Sequence, residues 1–242
     1  MPIELSEAGH HIPAISIPKA WRRDRMFFTG MAVAAAAAIF FGFAPTYYLK
    51  GAYGTPALTP LVHVHAALFI SWILLLVAQT SLIAVRRTDL HRRLGVAGGV
   101  LAGLMTLVAL ATAVSSARRG SLDAGFLVIP FGTVVVFPAL VCAALVMRRR
   151  TEAHKRLILI ATAELLSAGV GRWPIISTWS PMGFYAATDV FVVALLIYDL
   201  MTRGRIHPAT LWGGLFFIAT QPLRMAVAGT GPWLAFVSWL TS

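Results

Sequence analysis

His65, Glu164, Arg172, Asp189, Gln221 and Arg224 interrupt stretches of this chain that are otherwise apolar enough to cross a bilayer. Ionisable groups at such depth are costly to bury, so they mark binding sites or interhelical pairs. Two arginines set against two carboxylates carry little surplus charge. With Glu164 neutral, the set suits an anion such as a haem propionate, a lipid phosphate or a substrate carboxylate. His65 adds an axial ligand for a haem, completed by Met182, Met225 or an open position, or a hydrogen-bond partner for a quinone. The competing expectation is that the six side chains form a hydrogen-bonded network that fixes helices and binds nothing.

A second constellation lies where basic clusters meet apolar stretches. His91, His154 and His207 each stand at the start of a hydrophobic segment, in HRRL, HKRL and IHP. Three imidazoles can hold zinc with one position open. The neighbouring arginines would repel a cation, so binding of water or phosphate at headgroup level is the better expectation. No lysine falls inside an apolar span, which excludes a retinal Schiff base. Nucleotide-binding loops, nucleophile elbows and metalloprotease motifs are absent, and Cys142 is the only cysteine, so no disulfide within the chain or c-type haem attachment motif forms.

The elements that must position these groups follow from charge and hydropathy. The chain is 58% hydrophobic and 12% charged, with a mean hydropathy of +0.79, far from ordinary globular usage. Seven apolar segments approach the roughly 20 residues that a spanning helix needs. They fall at 27–49, 60–85, 94–117, 125–147, 155–178, 183–202 and 208–227. Of the 20 Lys and Arg residues, 15 lie in the N-terminal tail and in the junctions 86–93, 148–156 and 203–205. That asymmetry predicts an all-α, seven-transmembrane-helix bundle with its N-terminus cytoplasmic and its C-terminus external. Residues 1–26 form a retained cytoplasmic tail and 27–228 the membrane domain. Residues 229–242 form an external segment whose short, Trp-containing helix lies at the interface. The +11 charge is split among short clusters, which favours anionic membrane lipids over nucleic acid as partner.

Spacing then orients the groups. Residues two apart point about 200° apart on a helix, so His63 and His65 cannot chelate one ion there. His65, Trp72 and Gln79 share one face, predicted to point into the bundle. Arg172, about 12 Å beyond Glu164 on a continuous fifth helix, is expected to pair with Asp189. Gln221 and Arg224 lie on one face at the same outer depth. Gly95, Gly99 and Gly103 repeat at i+4 and predict close helix approach. Pro130, Pro138 and Pro222 predict kinks.

The segments HVHAALFISW, RRTDLHRRLG, HKRLILIAT, YDLMTRGRIHP and WGG through QPLR together resemble a widespread family of small bacterial inner-membrane proteins with no settled activity. The resemblance covers most of the chain beyond the tail and implies a multi-pass protein of the bacterial cytoplasmic membrane. In pattern the chain is distantly similar to cytochrome b561-like proteins and to membrane proteins that assist cytochrome oxidase assembly. The b561-like pattern implies facing histidine pairs within the bilayer, whereas most histidines here lie at helix ends. Two functional expectations result. One is a redox or respiratory-accessory protein binding haem, quinone or metal in the outer half, or serving in a larger membrane complex. The other is a lipid-binding, small-molecule-binding or structural membrane protein without cofactor.

Overall fold

The structure, a computed structural model, describes residues 19–179 and 181–242; most of the tail predicted over 1–26 lies outside the described residues. Eight α-helices make up the described chain, with no strand. They are α1 (Lys19–Phe43), α2 (Pro60–Ala84), α3 (Thr88–Arg118), α4 (Val128–Val146), α5 (Thr151–Val170), α6 (Pro181–Arg203), α7 (Pro208–Ala228) and α8 (Gly231–Thr241). A π-helical turn, Ala44–Tyr48, extends α1. Five helical segments are long and apolar enough to cross a membrane: Trp21–Tyr48, Pro60–Ala84, Thr88–Arg118, Val128–Val146 and Met182–Arg203. That content is compatible with an integral membrane protein.

Helix starts follow local rules. Proline occupies the first turn of α2 and of α7, where its missing N–H costs no hydrogen bond. Pro130 likewise falls in the first turn of α4 rather than at an interior kink, leaving Pro138 and Pro222 as the interior prolines. The fifth helix is shorter than its hydropathy suggests. It stops at Val170, where Gly171 takes the C-cap position and Pro174, without an N–H, cannot continue the ladder, so residues 171–178 form turns and a short 3-10 segment.

α5 is the axis of the bundle. It packs against α1, α4, α6 and α7, while α2 and α3 close the side between α1 and α4. From Ala161 to Ser167 every α5 residue is buried. Its polar side chains therefore face other helices, which explains how a helix carrying charges can sit at the centre. α1 approaches it backbone to backbone, since a Cβ added at Gly42 would overlap the Gly169 carbonyl. The Gly95–Gly99–Gly103 stripe works differently. A Cβ at Gly95 would meet only Gln79 Nε2 at 3.8 Å, one at Gly99 would meet Leu145 at 3.5 Å, and one at Gly103 would meet nothing. Gly98, off the stripe, makes the tight contact, 3.1 Å from Leu75.

α8 packs on α3, and Trp233 joins an edge-to-face aromatic contact with Phe131 of α4. Arg118 Nε donates to the Leu240 carbonyl at 3.1 Å, placing a cation at the C-terminal end of α8 where the helix dipole is negative.

Candidate functional site

Three polar regions are built on this frame, all touching α5 or its immediate neighbours. The first gathers the basic junctions at one end. Arg156, fully buried, donates from Nε to Asp199 Oδ1 at 3.0 Å, from Nη2 to the same oxygen, and from Nη1 to Glu152 Oε2 at 2.7 Å. Asp199 Oδ2 accepts from Thr210 Oγ1 at 2.5 Å and from the His207 backbone N–H at 3.1 Å. Lys155 bridges Asp24 Oδ1 at 2.6 Å and Glu152 Oε1 at 2.7 Å, and Tyr198 donates to Asp24 at 2.7 Å. Arg203 closes the group on Glu152.

α1, α5, α6 and the start of α7 are thus tied by one network. Burial alone would raise the Glu152 carboxyl, but Lys155 and Arg156 outweigh it and hold the group below the usual carboxylate range. Sequence reasoning missed this network, although Glu152 and Arg156 stand at i,i+4 and Asp199 sits one turn before a basic cluster that it neutralises.

The second region is a cavity of about 180 Å³ in the same half of the bundle, lined by α1 to α5 and partly open. Its walls are chiefly apolar and include Phe28, Trp72, Leu76 and Leu159. Gly95 and Gly99 line it too, so the glycine stripe makes room for a cavity as well as for a neighbouring helix. Polar side chains enter from Gln79, His91 and His154. The His91 and His154 rings stand edge to face, 6.5 Å between centroids. The third junction histidine does something else: His207 Nδ1 accepts the Ala209 N–H at 3.1 Å and caps α7. Burial, reinforced by the charges of Arg156 and Arg203, lowers its pKa. Among the described residues, no group of three or more His, Cys, Asp or Glu side chains is placed to hold a metal ion.

The third region contains the residues singled out from sequence. Glu164 Oε1 accepts from Thr133 Oγ1 at 2.7 Å and lies 2.8 Å from Arg224 Nη1, with both charged side chains buried. The Arg224 contact is close but not aligned as a hydrogen bond, and Glu164 Oε2 and Arg224 Nε have no partner in the protein. Gly132 makes the approach possible, because a Cβ there would collide with the Arg224 side chain. Gln221 Nε2 donates to Asp189 Oδ1 at 2.7 Å.

The expected Arg172–Asp189 pair is therefore replaced. Once α5 ends at Val170, Arg172 sits on the following turn, where it donates back to the Ala168 carbonyl and lies 4.4 Å over the Phe43 ring. It serves the C-terminal end of α5, a position where a cation is favoured. His65 is half-buried and stacks on Phe69 at 4.1 Å, with Nδ1 buried and unpartnered, while His63 is exposed and meets Tyr47 Oη at 3.3 Å. Of the face shared by His65, Trp72 and Gln79, the latter two line the cavity and His65 does not. No known family model matches the chain, and neither does any curated protein or solved structure.

Proposed function

We propose that this is a seven-span protein of a bacterial cytoplasmic membrane that binds a small, mostly apolar molecule in the cavity lined by α1 to α5. The observation carrying it is a cavity with apolar walls lined also by Gln79 and His91, whose Oε1 and Nδ1 are buried without a partner. Buried polar atoms are normally satisfied, so atoms left over at a cavity are where a ligand gains hydrogen bonds. The burial of α5 and its pairing with α6 and α7 support counting α5 and α7 as spans despite their lower hydropathy. With the basic junctions cytoplasmic, the cavity lies in the inner half. Trp21, flanked by Arg25 at 4.3 Å and Arg86 at 4.8 Å, offers anionic lipid headgroups a docking point at that surface.

The test is gentle purification followed by organic extraction and mass spectrometry, with Gly95→Leu as the filled-cavity control. A lipophile retained by wild type and lost from the variant is expected; equal content in both overturns the assignment. A second reading keeps the outer half as the site of a redox or respiratory-accessory protein. The buried, unpartnered His65 Nδ1 and Glu164 Oε2 favour it. It requires a Soret band that disappears in His65→Ala.

A further inference from the structure

The hydrogen-bond polarity of the cavity restricts what it accepts. Gln79 Nε2 donates to the His91 backbone carbonyl at 3.2 Å. A carbonyl only accepts, so the amide must present its NH2 there, and Oε1, buried and unpartnered, is left as an acceptor. The same logic fixes His154. Its Nδ1 lies 2.9 Å from the Ala144 carbonyl and must carry the proton, which leaves Nε2 of the neutral ring as a lone pair.

Two of the donors nearby are already engaged. Lys155 Nζ is held by Asp24 and Glu152, and the Thr80 hydroxyl donates to the Leu76 and Val77 carbonyls, whereas the Arg25 guanidinium, stacked over Trp21, and the Thr29 hydroxyl both line the cavity and can donate to a hydroxyl oxygen. His91 Nδ1 has no protein partner, so its ring is free to adopt either neutral tautomer. Arg25 and Thr29 thus offer donors, and Gln79 Oε1 and His154 Nε2 are the acceptors whose polarity the protein fixes, a combination that a hydroxyl group can meet. A ligand that itself only accepts would leave these acceptors unsatisfied, at the cost of buried polar groups without partners.

From this polarity we infer that the occupant is a hydroxyl-bearing lipophile the size of one substituted ring, a phenol or hydroquinone, whose O–H groups donate to Gln79 Oε1 and His154 Nε2. The volume agrees: cavities of about 150 Å³ hold a benzene-sized molecule, and this one is about 180 Å³. Phe28 and Trp72 in the wall suit an aromatic ring. The inference rests on the cavity being a ligand site and adds the donor requirement.

The experiment compares 4-propylphenol with 4-propyltoluene, which replaces the hydroxyl by a methyl group of similar size. Both are titrated into the full chain in nanodiscs and corrected for partition into protein-free discs. Wild type should bind the phenol about tenfold more tightly, the effect of one net hydrogen bond. The single phenol O–H donates to one acceptor, so Gln79→Met or His154→Asn, tested separately because His154 also braces Ala144, should shrink the preference several-fold, and the double variant should abolish it, with propyltoluene binding unchanged. Equal binding of both compounds to wild type, abolished by Gly95→Leu, overturns the donor requirement and leaves the cavity as a ligand site. Failure of both compounds to bind overturns the cavity reading, and the inference with it.

Discussion

At the basic end of α5 the Arg156 guanidinium finds a partner for each of its three nitrogens, and Asp199 accepts from α5, α7 and the His207 backbone. Two turns further along, Glu164 has one aligned donor, a close but poorly aligned arginine, and an oxygen with nothing on it. Both clusters are buried and both join α5 to later helices. A buried ion pair stabilises only if its remaining hydrogen-bonding capacity is filled, because desolvation offsets most of the Coulomb attraction. The first cluster meets that condition and acts as a clamp; the second meets it in part and keeps capacity for another group.

The largest effect that would break this contrast comes from Asp199→Asn. It leaves Arg156 charged and fully enclosed, and should cost about 3–5 kcal/mol, read as a large drop in thermal stability in detergent. Arg156→Met combined with Asp199→Leu should recover most of the loss, since an apolar pair needs no satisfied network. A mild single mutant would show that the clamp contributes little.

Glu164→Gln sharpens the contrast from the other side. The amide keeps the Thr133 contact and loses a misaligned ion pair, so the expected cost is about 1–3 kcal/mol, smaller than at Asp199. Equal losses at the two positions would mean that hydrogen-bond alignment does not distinguish the clusters.

The smallest effect is a pH dependence at the rim of the clamp. The folded state holds His207 neutral, with burial and the Arg156 and Arg203 charges opposing protonation and Asp199 and Glu152 favouring it. Stability from this group is therefore present above the ordinary histidine pKa and is lost as pH falls through the lower folded value. Protonation also removes the acceptor that caps α7, worth about 1 kcal/mol. His207→Asn, which keeps a cap acceptor without titrating, should flatten the melting temperature between pH 7 and 5 relative to wild type. Identical profiles would place the acid sensitivity elsewhere.

Much of the frame was legible. Thr59-Pro60 and His207-Pro208 place the starts of α2 and α7, and the basic clusters locate the junctions, because these signals act within one turn of chain. The end of α5 was not, since Trp173, Ile175 and Ile176 keep hydropathy high after the helix has ended at Val170. That error carried Arg172 onto the wrong element and with it the supposed Asp189 partner. The basic-end network escaped because Glu152, Lys155, Arg156 and Asp199 read as an ordinary charged junction, and burial depends on which helices converge there. The cavity is a property of five helices at once, so the i+4 glycines signalled small side chains without saying what would occupy the space.

The central position of α5 bears on how the chain is made. In the proposed seven-span arrangement α5 emerges from the ribosome carrying Glu164 before its counter-charge exists in the membrane, and Arg156 with only Glu152 of its own helix beside it, since Arg224 and Asp199 belong to α7 and α6. A helix in that state partitions poorly by itself, since a charge at its centre costs about 2.5–3.5 kcal/mol on insertion scales. Its settling between α1 and α4 is therefore a late event, completed only when the last third of the chain has been synthesised. Nascent chains stopped before Thr210 would leave the centre of the bundle unfinished and exposed to quality-control proteolysis.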